Sequence, residues 1–463
     1  MPDKDELFYE KKNTYDLIDS AEVTRADEYC EQYKLFLDKS KTEREFVAQA
    51  VKLASSNGFA EYSRGMDLAA GSRIYMDVGG KSMILAVIGK TPLQEGVNIT
   101  ATHIDSPRLD LKQVPLYEDG DMAFFKTHYY GGIKKYQWVA LPLSLHGTVI
   151  RKDGSAVDIV IGEDEADPVF MVTDLLPHLG KDQDKKTLGE AFTGENLNIL
   201  IGSRPDGGEE GAEKGKERVK LLVMKIINEK YGITEEDFLS AELEAVPQMR
   251  ARDVGFDRSM IGAYGHDDRS CSFAALRAIL DLTIPEKTAV CVLSDKEEIG
   301  SEGISGMQSA AFEYFMEELC AASGALLRDC FKESFCLSAD VCNAFDPNFA
   351  DVSEKLNSAK LGYGLGVMKF TGSRGKSGSS DASAEVVGML RKIFADNGVV
   401  WQMAELGKVD QGGGGTVAKF MANRNIATID AGIPVLSMHA PYEIVSKLDC
   451  YMAYKGMQAA YRR

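Results

Sequence analysis

Glu297 and Glu298 stand side by side in Ser294-Asp295-Lys296-Glu297-Glu298-Ile299-Gly300-Ser301, directly after the apolar run Thr288-Ala289-Val290-Cys291-Val292-Leu293. Two like charges at a buried strand end repel each other and resist desolvation, so a proton or a cation is needed to hold them there. A metal site answers that need most simply. Three further apolar runs lead into ligand-type residues: 97–102 into His103-Ile104-Asp105-Ser106-Pro107, 335–339 into Asp340, and 433–438 into His439. Asp267, in Gly265-His266-Asp267-Asp268-Arg269-Ser270, precedes the helical-looking run 272–282. Two His, two Asp and one Glu form an O/N donor set suited to zinc, manganese or cobalt rather than to thiolate chemistry.

Each of these residues also has an ordinary structural reading. A His after a strand is commonly a hydrogen-bonded core or surface residue, an Asp before a helix is usually an N-cap, and paired Glu residues usually lie on a solvated helix face or turn. The conjunction decides, because independent structural causes rarely put five such residues at the ends of buried runs. In an open α/β sheet, functional groups collect at the carboxyl ends of strands.

Taken together, His103-Ile104-Asp105-Ser106-Pro107, Asp267 before its helix, Glu297-Glu298-Ile299-Gly300-Ser301, Ser338-Ala339-Asp340 and Ser437-Met438-His439 resemble the aspartyl aminopeptidase family of di-zinc exopeptidases in order and spacing over nearly the whole chain. The resemblance implies that His103 and Asp340 hold one metal, Glu298 and His439 the other, and that Asp267 bridges them. It implies Glu297 as general base and Asp105 as the carboxylate that orients His103. Chemistry supports those roles. Paired cations about 3.5–4 Å apart acidify a water, polarise a scissile carbonyl and anchor a free amine. A neighbouring carboxylate then moves the water's proton to the leaving nitrogen. A carboxylate beside a ligating imidazole fixes its tautomer, although Asp105 reads equally well as an Asx-turn before Pro107.

These groups need elements to carry them. Residues 14–57 look helical, with a capping box at Thr42-Glu43-Arg44-Glu45 and an end at Asn57-Gly58. Strand signals follow at 82–88 and 96–102, then at 138–145, 147–150 and 156–161. Residues 205–215 read as a surface loop and 217–230 as a helix. Ligand candidates are nearly absent between about 113 and 250. The expected architecture is therefore α/β: a catalytic domain of residues 1–112 and 251–463, with a mixed sheet flanked by helices, interrupted by a β-rich insert of residues 113–250. The resemblance implies that the insert serves oligomerisation, with dimers assembling into a dodecamer. Its aromatic residues Phe124, Phe125, Tyr129, Tyr130, Tyr136 and Trp138 suit either that role or the insert's own core.

Composition sets the class. The 463 residues are 44% hydrophobic and 27% charged, ordinary for a globular chain of two or three domains. A net charge of -18 argues against a nucleic-acid surface. Cys30, Cys271, Cys291, Cys320, Cys330, Cys336, Cys342 and Cys450 include no C-x-x-C pair and read as reduced, buried thiols. Met1 to Glu6 lacks the pattern of a signal peptide, and no apolar stretch is long enough to span a bilayer, so a cytoplasmic enzyme without membrane partners is expected.

Several motifs bear on substrate. Gly375-Lys376-Ser377 suggests a phosphate loop, but the required earlier glycine falls at Phe370. Residues 372–380 read instead as a flexible loop near the site, with Lys369 or Arg374 as substrate contacts. In Gln411-Gly412-Gly413-Gly414-Gly415-Thr416 the backbone amides can approach a substrate, or the run is a plain turn. His128, His146 and His178 have no ligand-like neighbours and read as structural. After the metal Asp, the family usually places His where this chain has Asn343 and Asp346. These two positions are therefore candidate substrate contacts, and they imply a weakened preference for acidic amino-terminal residues. The function expected is removal of the amino-terminal residue from peptides with two divalent ions, zinc first and manganese or cobalt next. Its rivals are another di-metal amide hydrolase, a carboxypeptidase or deacylase, and a non-catalytic scaffold that kept the fold.

Overall fold

The computed structural model describes residues 7–207 and 216–463. The expectations for Met1 to Glu6 and for residues 208–215 of the surface loop lie outside the described residues. The chain divides into two compact units. One takes the residues up to Asp105, 251–438 and 443–463; the other takes 106–250 with 439–442.

The first unit is built on a nine-stranded mixed sheet. The run Ala289–Ser294 lies next to its central strand and is buried at every position, as an apolar segment covered on both faces must be. It pairs in parallel with Asn98–His103, with Ser294 opposite His103. Asn98–His103 pairs in parallel with Phe335–Ser338, and that strand with Ala427–Gly432. Parallel pairing in this register brings the carboxyl ends of three strands to one edge, and from that edge the chain runs into Asp105, Glu297-Glu298 and Asp340. The antiparallel strands Ser82–Val87 and Leu365–Met368 continue the sheet to either side.

Helices close the core. The expected capping box is present: the Glu45 N–H donates to Thr42 Oγ1 at 3.3 Å and the Thr42 N–H to Glu45 Oε2 at 3.2 Å, starting helix Glu43–Ser56. Tyr33 and Phe36, from helix Ser20–Leu37, pack on Phe273. Phe273 belongs to helix His266–Leu280, which is buried at all but one position. Ser272 on that helix donates to the His103 carbonyl at 2.5 Å, tying helix to strand end.

One strand lies elsewhere than expected. The run 433–438 contributes Pro434–Leu436, but to a separate five-stranded sheet with Cys342–Asn343, Glu443–Ser446, Met260–Ala263 and Arg252–Val254. The preceding segment, Ala427–Gly432, already occupies the place beside Phe335–Ser338. Gly432 allows the crossing: a Cβ there would lie 1.6 Å from the Asp340 carbonyl oxygen, so only glycine lets the two backbones pass.

The second unit is β-rich. Seven strands form its sheet in the order Ala156–Ile161, Leu143–Ile150, Ala241–Pro247, Arg108–Asp119, Met122–Tyr130, Ile199–Gly202 and Met171–Val172. The strand expected from 138 begins at Leu143, because Lys135–Trp138 is a 3-10 turn and Pro142 has no N–H for a ladder. The aromatics divide between core and surface: Phe125, Tyr130 and Trp138 are buried, whereas Tyr129 and Tyr136 are exposed. His146 Nε2 lies 3.0 Å from Ser144 Oγ and 3.2 Å from Glu163 Oε1. One nitrogen meets both groups, so the trio cannot relay a proton through the ring. Among the described residues of the whole chain, no helix is long and apolar enough to cross a membrane.

Candidate metal centre

His103 is the last residue of Asn98–His103 and is 1% exposed. Its Nε2 lies 3.2 Å from Asp267 Oδ1, 3.6 Å from Asp340 Oδ1 and 4.0 Å from Glu297 Oε2. Its Nδ1 lies 3.3 Å from Asp105 Oδ1 and 3.1 Å from the Asp105 carbonyl. One ring nitrogen thus faces the carboxylate cluster and the other faces Asp105. That is the arrangement in which a carboxylate fixes the tautomer of a ligating imidazole.

Asp105 does more than meet His103. Its two oxygens accept the backbone N–H groups of Glu297, at 3.1 Å, and Glu298, at 3.2 Å. These amides open the short 3-10 turn Glu297–Ile299, which follows the strand Ala289–Ser294. One carboxylate therefore sets both the imidazole and the turn that carries the paired acids. The Asx-turn reading had no means of seeing that bridge across the sheet.

Asp267 does not cap its helix. The N-cap is Gly265, and the backbone at Asp267 and Asp268 departs from helical geometry. The Asp267 N–H donates to Glu443 Oε2 at 3.0 Å. Two sets of side chains each converge closely enough to share one cation: His103, Glu297 and Asp340, and His103, Asp267 and Glu298.

Electrostatics fit a cation. Burial disfavours the imidazolium of His103, yet Asp340, Asp105 and Asp267 outweigh it and hold its pKa well above the usual value. Burial pushes Glu297 up to about 8; His103 favours its anion, while Asp340, Asp105 and Asp267 oppose it. Asp268 is wholly buried, and burial with the Asp340 charge pushes its pKa well above the ordinary range, against His103 and the Cys271 thiol, which favour its anion. Buried acids gathered round one imidazole are relieved by a divalent ion, and this carboxylate and imidazole donor set suits zinc.

The remaining candidates are not members of those two sets. His439 belongs to the second unit, where its Nδ1 lies 2.8 Å from the Gly132 carbonyl oxygen. Asn343 is half-buried in the strand Cys342–Asn343. Asp346 caps the 3-10 turn Pro347–Val352, accepting the Asn348 N–H at 2.9 Å. Lys369 follows Leu365–Met368. Beyond it, Gly372–Ser373 pairs with Gly413–Gly414 in a two-stranded ribbon, so the 372–380 loop and the glycine run are joined. Sequence reasoning missed Glu443, Asp268 and Asp430, the last buried in the strand Ala427–Gly432 and bound by Thr416. Asp268 had a signal, its place beside Asp267; the other two act through partners distant in the chain.

Comparison with known proteins bears directly on this centre. The family model described as aminopeptidase I zinc metalloprotease (M18) matches residues 36–461. A probable M18 family aminopeptidase 1 of Clostridium acetobutylicum is 48% identical over 463 residues, covering 98% of each chain. The crystal structure of an M18 family aminopeptidase from Thermotoga maritima superposes with a TM-score of 0.93 at 43% identity, covering 98% of this chain and 99% of that one. The S. cerevisiae mApe1 dodecamer shares the fold, with a TM-score of 0.76 at 20% identity, covering 95% of this chain and 97% of that one.

Proposed function

The chain belongs to the M18 family of zinc metalloproteases, and from that premise we propose a residue-by-residue assignment of its site. It is a metalloaminopeptidase, a hydrolase that removes amino-terminal residues from peptides. In the proposed assignment two divalent ions, zinc by preference and manganese or cobalt as substitutes, are held by His103, Asp267, Glu298, Asp340 and His439. Bound cations supply the charge that polarises the scissile carbonyl and acidifies the attacking water. Glu297 takes the water's proton on a carboxylate oxygen and returns it to the leaving nitrogen. Asp105 holds His103 and the Glu297-Glu298 turn in place.

The observation that carries this reading is the position of His103 Nε2 within 4.0 Å of carboxylates from three separate segments, with Asp105 bound to the ring's other side. Metal analysis tests it. The purified protein should carry about two ions per chain, and Asp267→Ala should lose both metal and activity. Full metal content in that variant would refute its role as a shared ligand.

Lys369, with Asn343 and Asp346, is proposed to contact the substrate's amino-terminal residue, and the ribbon beyond Lys369 to border the bound peptide. The proposed assembly is a homo-oligomer of dimers, up to the dodecamer seen for mApe1. Exposed Val169, Met171, Leu175, Leu176, Leu179 and Leu188, all within residues 169–188 of the insert, favour it. A monomer by sedimentation at micromolar concentration would defeat this. The proposed compartment is the cytoplasm, in keeping with eight free, buried cysteines.

A further inference from the structure

The glycine run 411–415 ends at Thr416, which is buried, and Thr416 Oγ1 donates to Asp430 Oδ1 at 3.1 Å. Asp430 is 1% exposed and lies in Ala427–Gly432, in register with Ser338 on one side and Met368 on the other. Ser338 is two residues before Asp340, and Met368 adjoins Lys369. Asp430 thus sits level with the points where the ligand segment and the basic segment leave the sheet.

A carboxylate is a costly choice for a mere structural tie. Besides Thr416 only the Ser338 hydroxyl favours its anion, and its buried Oδ2 has no hydrogen bond of good geometry, which costs on the order of 1–3 kcal/mol. An Asn or Ser would hold a hydroxyl without burying an acid. Between Thr416 and the ribbon lies only the exposed Gly415, and the ribbon residues Gly413 and Gly414 are exposed as well. At Gly413 the ribbon admits no side chain, since a Cβ there would lie 2.1 Å from the Gly372 carbonyl oxygen. A tie at Thr416 therefore reaches Gly413–Gly414 and, through their pairing, Gly372–Ser373.

We propose that Asp430 is a positioning residue: through Thr416 it fixes the glycine run, and through the ribbon it fixes the segment carrying Lys369, Arg374 and Lys376 against the bound peptide. This rests on the reading above that the ribbon borders the substrate. The tie is expected to act on binding rather than on the chemical step, because neither Thr416 nor Asp430 belongs to the sets that converge on His103.

The test uses the metal-loaded full chain. Thr416→Val keeps the shape and removes the hydroxyl, Thr416→Ala is a second hydroxyl-free variant, and Thr416→Ser restores the donor. Expected for the two hydroxyl-free variants are a KM for unblocked peptides raised about tenfold, kcat within about twofold, unchanged metal content, and faster amide exchange at 411–416 and 372–373. Thr416→Ser should return KM to within about twofold of the parent. Unchanged exchange with unchanged KM would overturn the tie while leaving the substrate assignment of Lys369 intact. Faster exchange with unchanged KM would show that the ribbon does not border the peptide, and both readings would fall. Loss of metal, or a fall in kcat at constant KM, would also overturn the proposal, by assigning the Thr416–Asp430 pair to the centre itself.

Discussion

Two acidic clusters in the same unit meet their need for positive charge in opposite ways. Asp253 lies within reach of three side-chain cations, with Lys34 Nζ at 2.7 Å, Arg258 Nε at 2.8 Å and Lys447 Nζ at 3.2 Å. Burial works against its ionisation, but hydrogen bonds from Lys34, Arg258 and Lys447 prevail and hold its pKa far below the usual range. The cluster at His103 reverses the ratio, with Asp105, Asp267, Glu297 and Asp340 set round one imidazole. There Glu297 is pushed up to about 8, chiefly by burial. The first cluster brings its own cations and is complete as folded; the second is arranged to receive charge from solution. The ratio of acids to built-in cations, more than the number of acids, separates a buried ion pair from a metal site.

The largest effect expected from breaking this comparison is at Glu297. Glu297→Gln keeps the shape and hydrogen-bonding capacity but cannot take a proton from water, so kcat should fall by about 10²–10⁴-fold while metal content stays unchanged. Turnover near the parent's, measured with metal analysis on the same sample, would show that the base lies elsewhere.

At the satisfied cluster the loss should appear in stability instead. Asp253→Asn leaves Lys34 and Lys447, both nearly buried, with only the exposed acids Glu31 and Asp27 as counter-charges. A loss of about 2–3 kcal/mol is expected, below the ~3–5 of a fully enclosed pair because Arg258 is exposed. kcat should stay within about twofold, since no group of the metal centre is touched. The pH dependence has a definite sign. A carboxyl whose folded pKa is depressed stabilises fully above its unfolded value of 3.8 and loses that contribution as pH falls through the folded value. Denaturant unfolding should therefore show the gap between parent and variant narrowing steadily as pH falls from about 4 towards the folded value, and a gap that stays constant over that range would contradict the charge assignment.

Asp105 belongs to both categories, being the partner of a proposed ligand, His103, and a hydrogen-bond acceptor for the Glu297-Glu298 turn. Asp105→Asn retains one acceptor oxygen for the turn but no negative charge beside His103 Nδ1. Metal affinity or activity should fall about 10–100-fold, less than at Glu297. A loss of thermal stability with unchanged metal affinity would move Asp105 into the structural class.

Much of this site is written in local sequence, for a stated reason. A strand buried on both faces reads as an unbroken apolar run, so 97–102, 288–293 and 335–339 point to their own carboxyl ends and hence to His103, Glu297-Glu298 and Asp340. The run 433–438 reads as a strand equally well, but periodicity does not say which sheet takes it; that follows from the competing segment Ala427–Gly432 and from the crossing at Gly432. The links from Asp105 to Glu297, from Asp267 to Glu443 and from Thr416 to Asp430 leave no local mark. Each joins residues that only the finished register brings together. The capping box at Thr42 was visible because both its partners lie within four residues.

The smallest and finest expected effect concerns Asp346, an acid that the same comparison can sort. If it faces the amino-terminal side chain, it repels Asp and Glu; if it is satisfied like Asp253, it does nothing to substrate. Its carboxylate accepts the Asn348 N–H and caps a turn, and that local bond moderates the repulsion without removing the charge. In the proposed pocket Lys369 would act in the opposite sense, while Asn343 offers no positive charge to an acidic side chain. The balance predicts a weak preference: kcat/KM for amino-terminal Asp and Glu peptides within about tenfold of that for Leu, a difference of ~1.4 kcal/mol. Asp346→Ala should then raise kcat/KM for the acidic substrates about two- to threefold and leave Leu unchanged. Asp and Glu peptides favoured a hundredfold over Leu and Lys would reject the argument, and would mean that Lys369 or another cation governs the pocket while Asp346 is confined to its turn.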